Sequence, residues 1–422
     1  MTKNEQIKNT IRETRNRHNN MVCRVFEVKV IKGKLSNTKK SLLNQYFLEA
    51  KWLRNSELAS GEFNRKAKTA TVKVGDTFEE RPLKLLGSQV KQDIVDTIRS
   101  EIRGLSTKKS KGEKVGRLKF KSYCNSIPLR QHGTTYKINF KNNTITIQNM
   151  KKYPLKVRGL KQIPENAEIA NAKLVRKPSG YYIHITTYCK PEDVITGAMC
   201  GIDFGIGTNL TYDNGDKVNI RVPETKGVKL ASRRVNKSFH RNGKTKSKNH
   251  YKRVNKLRRT YERQNNIKQD KANKVVSALL NENDFIAIQD EMISAWHHGR
   301  FGKQVQHSAM GLIKAKLKTN FKTVVVPTSF PSTQKCPVCG KNTKHPLSVR
   351  YYKCEHCGYF HPDRDVKAAN MILIEALRNA SDDIVSVERR TQSLVETRPS
   401  GGGVNFGNTT KVPSVKQEAQ VL

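Results

Sequence analysis

The sequence predicts an α/β multidomain protein: a small N-terminal β-barrel interrupted by a helical insertion, then an α/β region that carries a four-cysteine zinc ribbon. Three observations predict it. A strand-like run at Val22–Lys32 is parted from a later block of strands, Thr134–Lys190, by a zone of helical periodicity. Further on, two short apolar runs each end in an acid, as strands ending at a functional edge do. Two CxxC pairs then lie fourteen residues apart, the spacing of a closed zinc site. At 422 residues the chain has room for two to four domains, each able to bury a core.

Charge narrows the function before any motif does. Lys and Arg total 80 against 36 Asp and Glu, a formal net charge of +44 that self-repels unless a polyanion neutralises it. A membrane is the weaker candidate partner, because the longest apolar runs, Val324–Pro327 and Phe285–Ile288, fall far short of the roughly 20 residues that a span needs. Nucleic acid is therefore the expected partner. Met1–Asn20 is charged and Asn-rich with no apolar block, so no secretory signal is expected there. A cytoplasmic, reducing setting without disulfides follows, with Cys23, Cys124, Cys189 and Cys200 expected as buried thiols.

The elements follow in order. After the strand at Val22–Lys32, Asn37–Asn55 spaces Leu42, Leu43, Tyr46, Phe47, Ala50, Trp52 and Leu53 as a helix behind an Asn/Thr cap signal. Ser88–Leu105 places Val90, Ile94, Ile98 and Ile102 four apart, a second helix. Thr107–Lys121 is rich in Gly and Lys and reads as a boundary loop whose Lys119 and Lys121 suit a phosphate backbone. Tyr136–Phe140 and Thr144–Gln148 flank Lys141-Asn142-Asn143 as a hairpin, and Ala170–Val175 pairs with Tyr181–Tyr188 across Lys177-Pro178-Ser179-Gly180. Because one strand precedes the helices and the rest follow them, the barrel is expected to be interrupted by a helical insertion, with two independent domains as the alternative. Lys229–Lys274 contains only Glu262 and Asp270 as acids and breaks at Gly243. Within it Val254, Leu257, Tyr261, Ile267 and Val275 form a packing stripe, which turns Arg258, Arg259 and Arg263 outward toward phosphates. The segment 381–422, with Gly401-Gly402-Gly403, reads as a disordered tail.

The chemistry rests on two residue sets. Cys336, Cys339, Cys354 and Cys357 supply four thiolates, which close a tetrahedron and leave no position for water, so the zinc is structural; His356 and His361 are bystanders. Acids are scarce, which makes three of them conspicuous. Asp203 ends the run Ala198–Phe204, Asp290-Glu291 end the run from Phe285, and Asp365 enters an amphipathic helix continued by Met371, Ile372, Ile374 and Leu377. Taken singly, each is an ordinary turn or cap residue. Together they offer carboxylates from separate segments, as two divalent ions about 4 Å apart on a phosphodiester require. Trp296, His297 and His298 follow closely enough to form a lid over such a site.

The run GIDFGIGTNLT, the strand leading into IQDEMISAWHHGRFGKQVQHSAMG, the knuckles STQKCPVCG and YYKCEHCG, and DRDVKAAN resemble the RuvC-like nuclease of transposon-encoded TnpB proteins and of the related miniature type V CRISPR effectors. NQYFLEAKWLRN and VGRLKFKS fit the TnpB side, and the resemblance covers about Val22 to Asn379. It implies an RNase H-like core over 196–335 and 361–380, split by a zinc ribbon at 336–360. It also implies a wedge-like barrel over 1–36 and 107–195 that holds a helical recognition insert at 37–106. Asp203, Glu291 and Asp365 become the catalytic acids, holding two magnesium ions beside one structural zinc. The partners become a guide RNA encoded near the gene and double-stranded target DNA cut beside a short flanking motif, in the cytoplasm and nucleoid of a prokaryotic cell. The chain departs from the family pattern in three places. Gln289-Asp290 stand where the family has an unbroken apolar strand before the second acid, which leaves Asp290 as an alternative to Glu291. Lys367 stands where Asn is common, and Met371-Ile372 where an Asn-Ile pair is common. A guided DNA-binding repressor without cleavage, a type V effector and an RNA-independent transposase remain as alternative functions.

Overall fold

In the computed structural model the chain is described over residues 2–19, 21–190, 195–241, 247–346 and 348–380; the expected tail at 381–422 and the break at Gly243 lie outside the described residues. It divides into two compact units, Met1–Glu192 and Asp193–Leu422.

The first unit runs α1 (Lys3–Asn19), β1 (Val22–Val30), α2 (Asn37–Ser60), β2 (Thr69–Val74), β3 (Thr77–Pro82), α3 (Ser88–Ser110), β4 (Ser126–Leu129), β5 (Tyr136–Asn139), β6 (Thr144–Ile147), β7 (Leu155–Arg158), β8 (Glu168–Lys177) and β9 (Gly180–Cys189). Seven of its strands form one sheet in the order β4-β8-β9-β1-β7-β6-β5. Strand β1 pairs antiparallel with β9 on one side and β7 on the other, so the strand before the helices shares its sheet with strands that follow them. Helix α2 starts where the Ser36 hydroxyl accepts from the Lys39 amide and stops at Gly61, whose φ of 72° only glycine adopts without strain. Its Leu43, Tyr46, Phe47, Ala50 and Leu53 join Val28, Ile127, Ile183 and Ile185 in the core. Four details go beyond or against expectation. The charged N-terminal segment is helical although its Ile7 and Ile11 remain exposed, so it lacks the apolar stripe that periodicity detects. A hairpin, β2–β3, turning at Gly75, interrupts the helical zone, and α3 continues to Ser110 into the stretch read as a loop. Cys23 is exposed and Cys124 half-buried; of the four lone cysteines only Cys189 and Cys200 are buried.

The second unit contains β10 (Met199–Phe204), β11 (Leu210–Tyr212), β12 (Lys217–Val218), α4 (Lys226–Arg241), α5 (Lys248–Glu282), β13 (Phe285–Gln289), α6 (Gly302–His307), α7 (Met310–Lys318), β14 (Thr323–Val326), β15 (Tyr352–Lys353), β16 (Phe360–His361) and α8 (Arg364–Ala380). Its main sheet has the order β12-β11-β10-β13-β14, antiparallel across β12-β11-β10 and parallel across β10-β13-β14. The parallel strands are covered on both faces, which is why β13 reads as a continuous apolar run and not an alternating one. Phe285, Ala287 and Val326 face Ile372, Ala376 and Leu377 of α8, whereas Ile202, Ile286 and Ile288 face Val275, Leu279, Ile313 and Leu317 of α5 and α7. A Cβ at Gly201 would stand 2.3 Å from the Ala369 carbonyl oxygen, so glycine is what lets α8 lie directly on β10. The expected packing stripe of α5 is only partly realised: Val275 is buried, but Tyr261 and Ile267 are exposed and the buried positions include His250, Gln264 and Ala272.

Candidate metal centres and basic groove

The cysteine cluster is built locally. Gly340 and Gly358, with φ of 72° and 75°, turn their amides back onto the carbonyls of Cys336 and Cys354. Each CxxC pair thereby curls so that its two sulfurs converge. Cys336 and Cys357 sulfurs lie 3.6 Å apart, as do those of Cys339 and Cys354, and all four sit within 4.8 Å of one another. Sulfurs held about 2.3 Å from a tetrahedral ion stand about 3.8 Å apart, so the cluster fits zinc. Burial opposes ionisation of Cys354, but the amides of Cys357 and His356 aim at its sulfur and bring its pKa down to about 5. His361 instead accepts from the Asp363 amide through Nδ1 at 3.1 Å, and among the described residues no histidine joins the cluster.

The three acids come from separate elements and form no compact cluster of that kind. Asp203 lies on β10 two residues after Gly201, and therefore on the face that α8 covers. Glu291 follows the end of β13, and Asp365 lies in the first turn of α8. Desolvation raises the Asp203 pKa to about 8, with the Asp365 and Glu291 carboxylates adding to it and Arg364 opposing it. Burial likewise raises Glu291, with Lys314 opposing. Asp290 has a different environment. Its oxygens receive Lys314 at 2.7 Å and Lys318 at 2.9 Å, which hold its carboxyl below the ordinary range. Asp290 is thus committed to α7, whereas Glu291 is the neighbour that Asp203 feels. The start of α8 is fixed by Asp363, whose Oδ1 accepts from the amides of Asp365 at 2.9 Å and Val366 at 3.2 Å. Sequence reasoning passed over Arg350, whose largely exposed guanidinium stands 3.7 Å from an Asp365 oxygen. Trp296 packs partly against the core, while His297 and His298 are exposed in a short turn after Glu291.

Basic side chains gather in one further place. A groove of about 510 Å³ on α4 and α5 is lined by Arg234, Lys237, Arg253 and Lys256, with Leu230, Ala231 and Thr260 beside them. Arg258, Arg259 and Arg263 are exposed on α5 and do not line it. The lining residues recur at three- and four-residue spacings on each helix, a signal that becomes legible only once the two helices are known to pack together. Lys119 and Lys121 are exposed in the first unit, where the Lys121 backbone is tied by two 2.9 Å bonds to the Asn55 side chain of α2.

Comparison with known proteins gives two family matches: "Probable transposase" over residues 176–294, and "Cas12f1-like, TNB domain" over residues 309–372. A protein of Streptomyces pristinaespiralis named "Putative RNA-guided DNA endonuclease" is 30% identical over 237 residues. That alignment covers 53% of this chain, and the chain spans just over half of that relative, 57% of its length. Among solved structures, a Cas12f1-sgRNA-target DNA complex aligns over 83% of this chain and 99% of that one, at 12% identity and a TM-score of 0.44.

Proposed function

We propose that this TnpB-like protein is an RNA-guided, metal-dependent DNA endonuclease of transposon type. The observation that carries the reading is the placement of three acids from separate elements, β10, the end of β13 and the start of α8: burial raises the pKa of Asp203, and the Asp365 and Glu291 carboxylates add to that rise. Like charges gathered in a half-buried place are a recurring mark of functional sites that meet a cation. The five-stranded order, an antiparallel meander joined to two parallel strands, supports an RNase H-like, RuvC-type core over 196–335 and 361–380. The sulfur cluster supports a structural zinc ribbon at 336–360. The seven-stranded sheet with α2 and α3 following its β1 strand supports a barrel over 1–36 and 107–195 that holds the insert 37–106.

In this reading Asp203, Glu291 and Asp365 would hold two magnesium ions. Bound there, they would supply a nucleophilic water at neutral pH and stabilise the departing phosphodiester oxygen. The chain's own residues do the remaining work. Asp203, whose carboxyl pKa burial and its two acidic neighbours push up, would be a ligand for a cation that offsets them. Asp363 caps α8 and so fixes where Asp365 points. Arg350 stands beside Asp365 with its guanidinium open to solvent, able to meet a phosphate oxygen. Arg234, Lys237, Arg253 and Lys256, with Arg258, Arg259, Arg263, Lys119 and Lys121, take the backbone of a guide RNA and its paired double-stranded DNA target, a charge-based grip that ignores base sequence. Among the described residues no helix is long and apolar enough to cross a membrane. A repressor that had lost cutting is disfavoured because all three acid positions remain acidic.

The test is to purify the full chain with the RNA it retains, sequence that RNA, and supply DNA matching it. Magnesium-dependent cutting of the matched DNA that stops in chelator is the expected result. Retention of RNA with binding but no cutting would replace this reading by the repressor.

A further inference from the structure

We propose that Gln289, Ser332 and Lys367 form a buried positioning network that fixes the second and third acids relative to each other and ties both to the cysteine cluster. The inference rests on the reading of Glu291 and Asp365 as metal-holding residues. Lys367 lies on α8 two residues after Asp365 and is only 1% exposed. Burying an ammonium is costly unless it is met by other groups, and an apolar residue would fill the same space without that cost. Its Nζ donates to the Ser332 carbonyl at 3.0 Å and stands 4.0 Å from the centroid of the Tyr352 ring. Burial works against its charge and holds its pKa below the ordinary lysine value, with the sulfurs of Cys336 and Cys354 opposing that shift.

The other end of the network reaches the second acid. The hydroxyl of Ser332, itself buried, donates to Gln289 Oε1 at 2.8 Å. Gln289 ends β13 two residues before Glu291, and its Nε2 donates to the Phe330 carbonyl at 2.6 Å and the Pro327 carbonyl at 3.2 Å. One residue, Ser332, thus takes a bond from Lys367 on its carbonyl and gives one to Gln289 from its hydroxyl. Gln289 and Lys367 would each be left as a poorly satisfied buried polar group without the serine that joins them, so the structure couples the two through Ser332. Because Tyr352 and the sulfurs belong to the cysteine cluster, the spacing of the two acids is linked to the integrity of that cluster.

The experiment is a double-mutant cycle in the full chain with its bound RNA, using Gln289→Leu, Lys367→Met and both together. Mn²⁺ binding is followed by electron paramagnetic resonance, and zinc content and melting temperature are measured beside it. Each single change is expected to weaken Mn²⁺ binding about tenfold, as loss of a group that orients metal ligands does, and the double change no further than about tenfold. Zinc should stay at about one per chain. Lys367→Gln, which can still donate to Ser332, should recover most of the loss. Weakening that multiplies in the double variant, or Mn²⁺ binding unchanged in both singles, would overturn the network. Wild-type protein that binds no Mn²⁺ would instead overturn the nuclease reading; the melting-temperature cycle would then decide the network, with non-additive losses supporting it and additive losses overturning it.

Discussion

In the cysteine cluster, each pair of donors comes from a single turn three residues apart, and the sulfurs of the two turns approach to 3.6 Å with no other element needed to bring each pair together. The three carboxylates come from positions 203, 291 and 365, and they converge only because β10 and β13 are parallel neighbours and α8 lies against β10. A centre assembled by local turns is robust and specific for one ion, since its donors are preset by the backbone. A centre assembled by the sheet is more loosely gathered and more strongly repelling, with Asp203 raised to about 8. Under the proposed function that difference suits their chemistry. A structural ion needs a closed cage, whereas ions that work on a phosphodiester need carboxylates that leave coordination positions open.

The largest expected effect tests the dispersed centre. Asp203→Ala or Asp365→Ala should lower cleavage by about 10³-fold or more, the several kcal/mol that metal ions contribute, while binding of RNA and DNA is unchanged. Asp290→Asn and Glu291→Gln sharpen the test. Glu291→Gln should fall with the other two acids, and Asp290→Asn should stay within about threefold of wild type, because Asp290 is held by Lys314 and Lys318 and screened accordingly. Cleavage lost in Asp290→Asn and kept in Glu291→Gln would exchange their roles. These are single-turnover rates with binding measured separately.

The local centre should respond in the opposite manner. Cys354→Ser removes one thiolate from a closed site, and metal analysis should find zinc dropping from about one per chain to near none. Amide exchange should rise over Cys336–Cys357 while the five-stranded sheet keeps its protection. If the sheet lost protection equally, the two centres would be one folding unit and the contrast between them would fail.

What the sequence made legible follows the same division. The knuckles could be read outright because donor spacing and the following glycine lie within four residues of each other. The acids could be read as a set because two end recognisable apolar runs and the third enters an amphipathic helix, but Asp290 and Glu291 could not be separated, since the choice depends on α7 presenting Lys314 and Lys318. Arg234, Lys237, Arg253 and Lys256 escaped notice because which face of a basic helix lines a groove depends on its partner helix. Helix α1 was missed for lack of an apolar stripe, and the β2–β3 hairpin for lying between two strong helices. Cys23 was misplaced because a strand position says nothing of which face is open.

A smaller effect tests how α8 is seated. Gly201→Ala would put a methyl group 2.3 Å from the Ala369 carbonyl oxygen, on backbone that cannot rotate aside. It should destabilise the second unit by about 1–3 kcal/mol, as overpacking does, and reduce cleavage by shifting Asp365 from Asp203, with zinc content unaffected. Full activity with a normal melting temperature would show that α8 is free to ride outward.

The smallest effect concerns the cap that starts α8. Burial works against ionisation of Asp363, but the Lys217 ammonium and the amides of Val366 and Asp365 outweigh it and hold its carboxyl below the ordinary range. A carboxyl lowered on folding stabilises the folded state above its unfolded pKa, and that contribution disappears as pH falls through the lower folded value. The contribution should therefore be complete from about pH 5 upward and fade below about pH 4. Asp363→Ala removes both cap and charge and should cost about 1 kcal/mol at neutral pH, whereas Asp363→Asn keeps an acceptor for the amides and should cost less. Melting curves of the three proteins from pH 7 to pH 3 separate the two parts. The gap between wild type and Asp363→Asn should close toward pH 3, because only the charge titrates, while the gap between Asn and Ala should persist because the cap bond does not. If Asn and Ala were equal at every pH, the Lys217 pair alone would fix the helix start, and Asp365 would owe its position to an ion pair instead of to its own backbone amide.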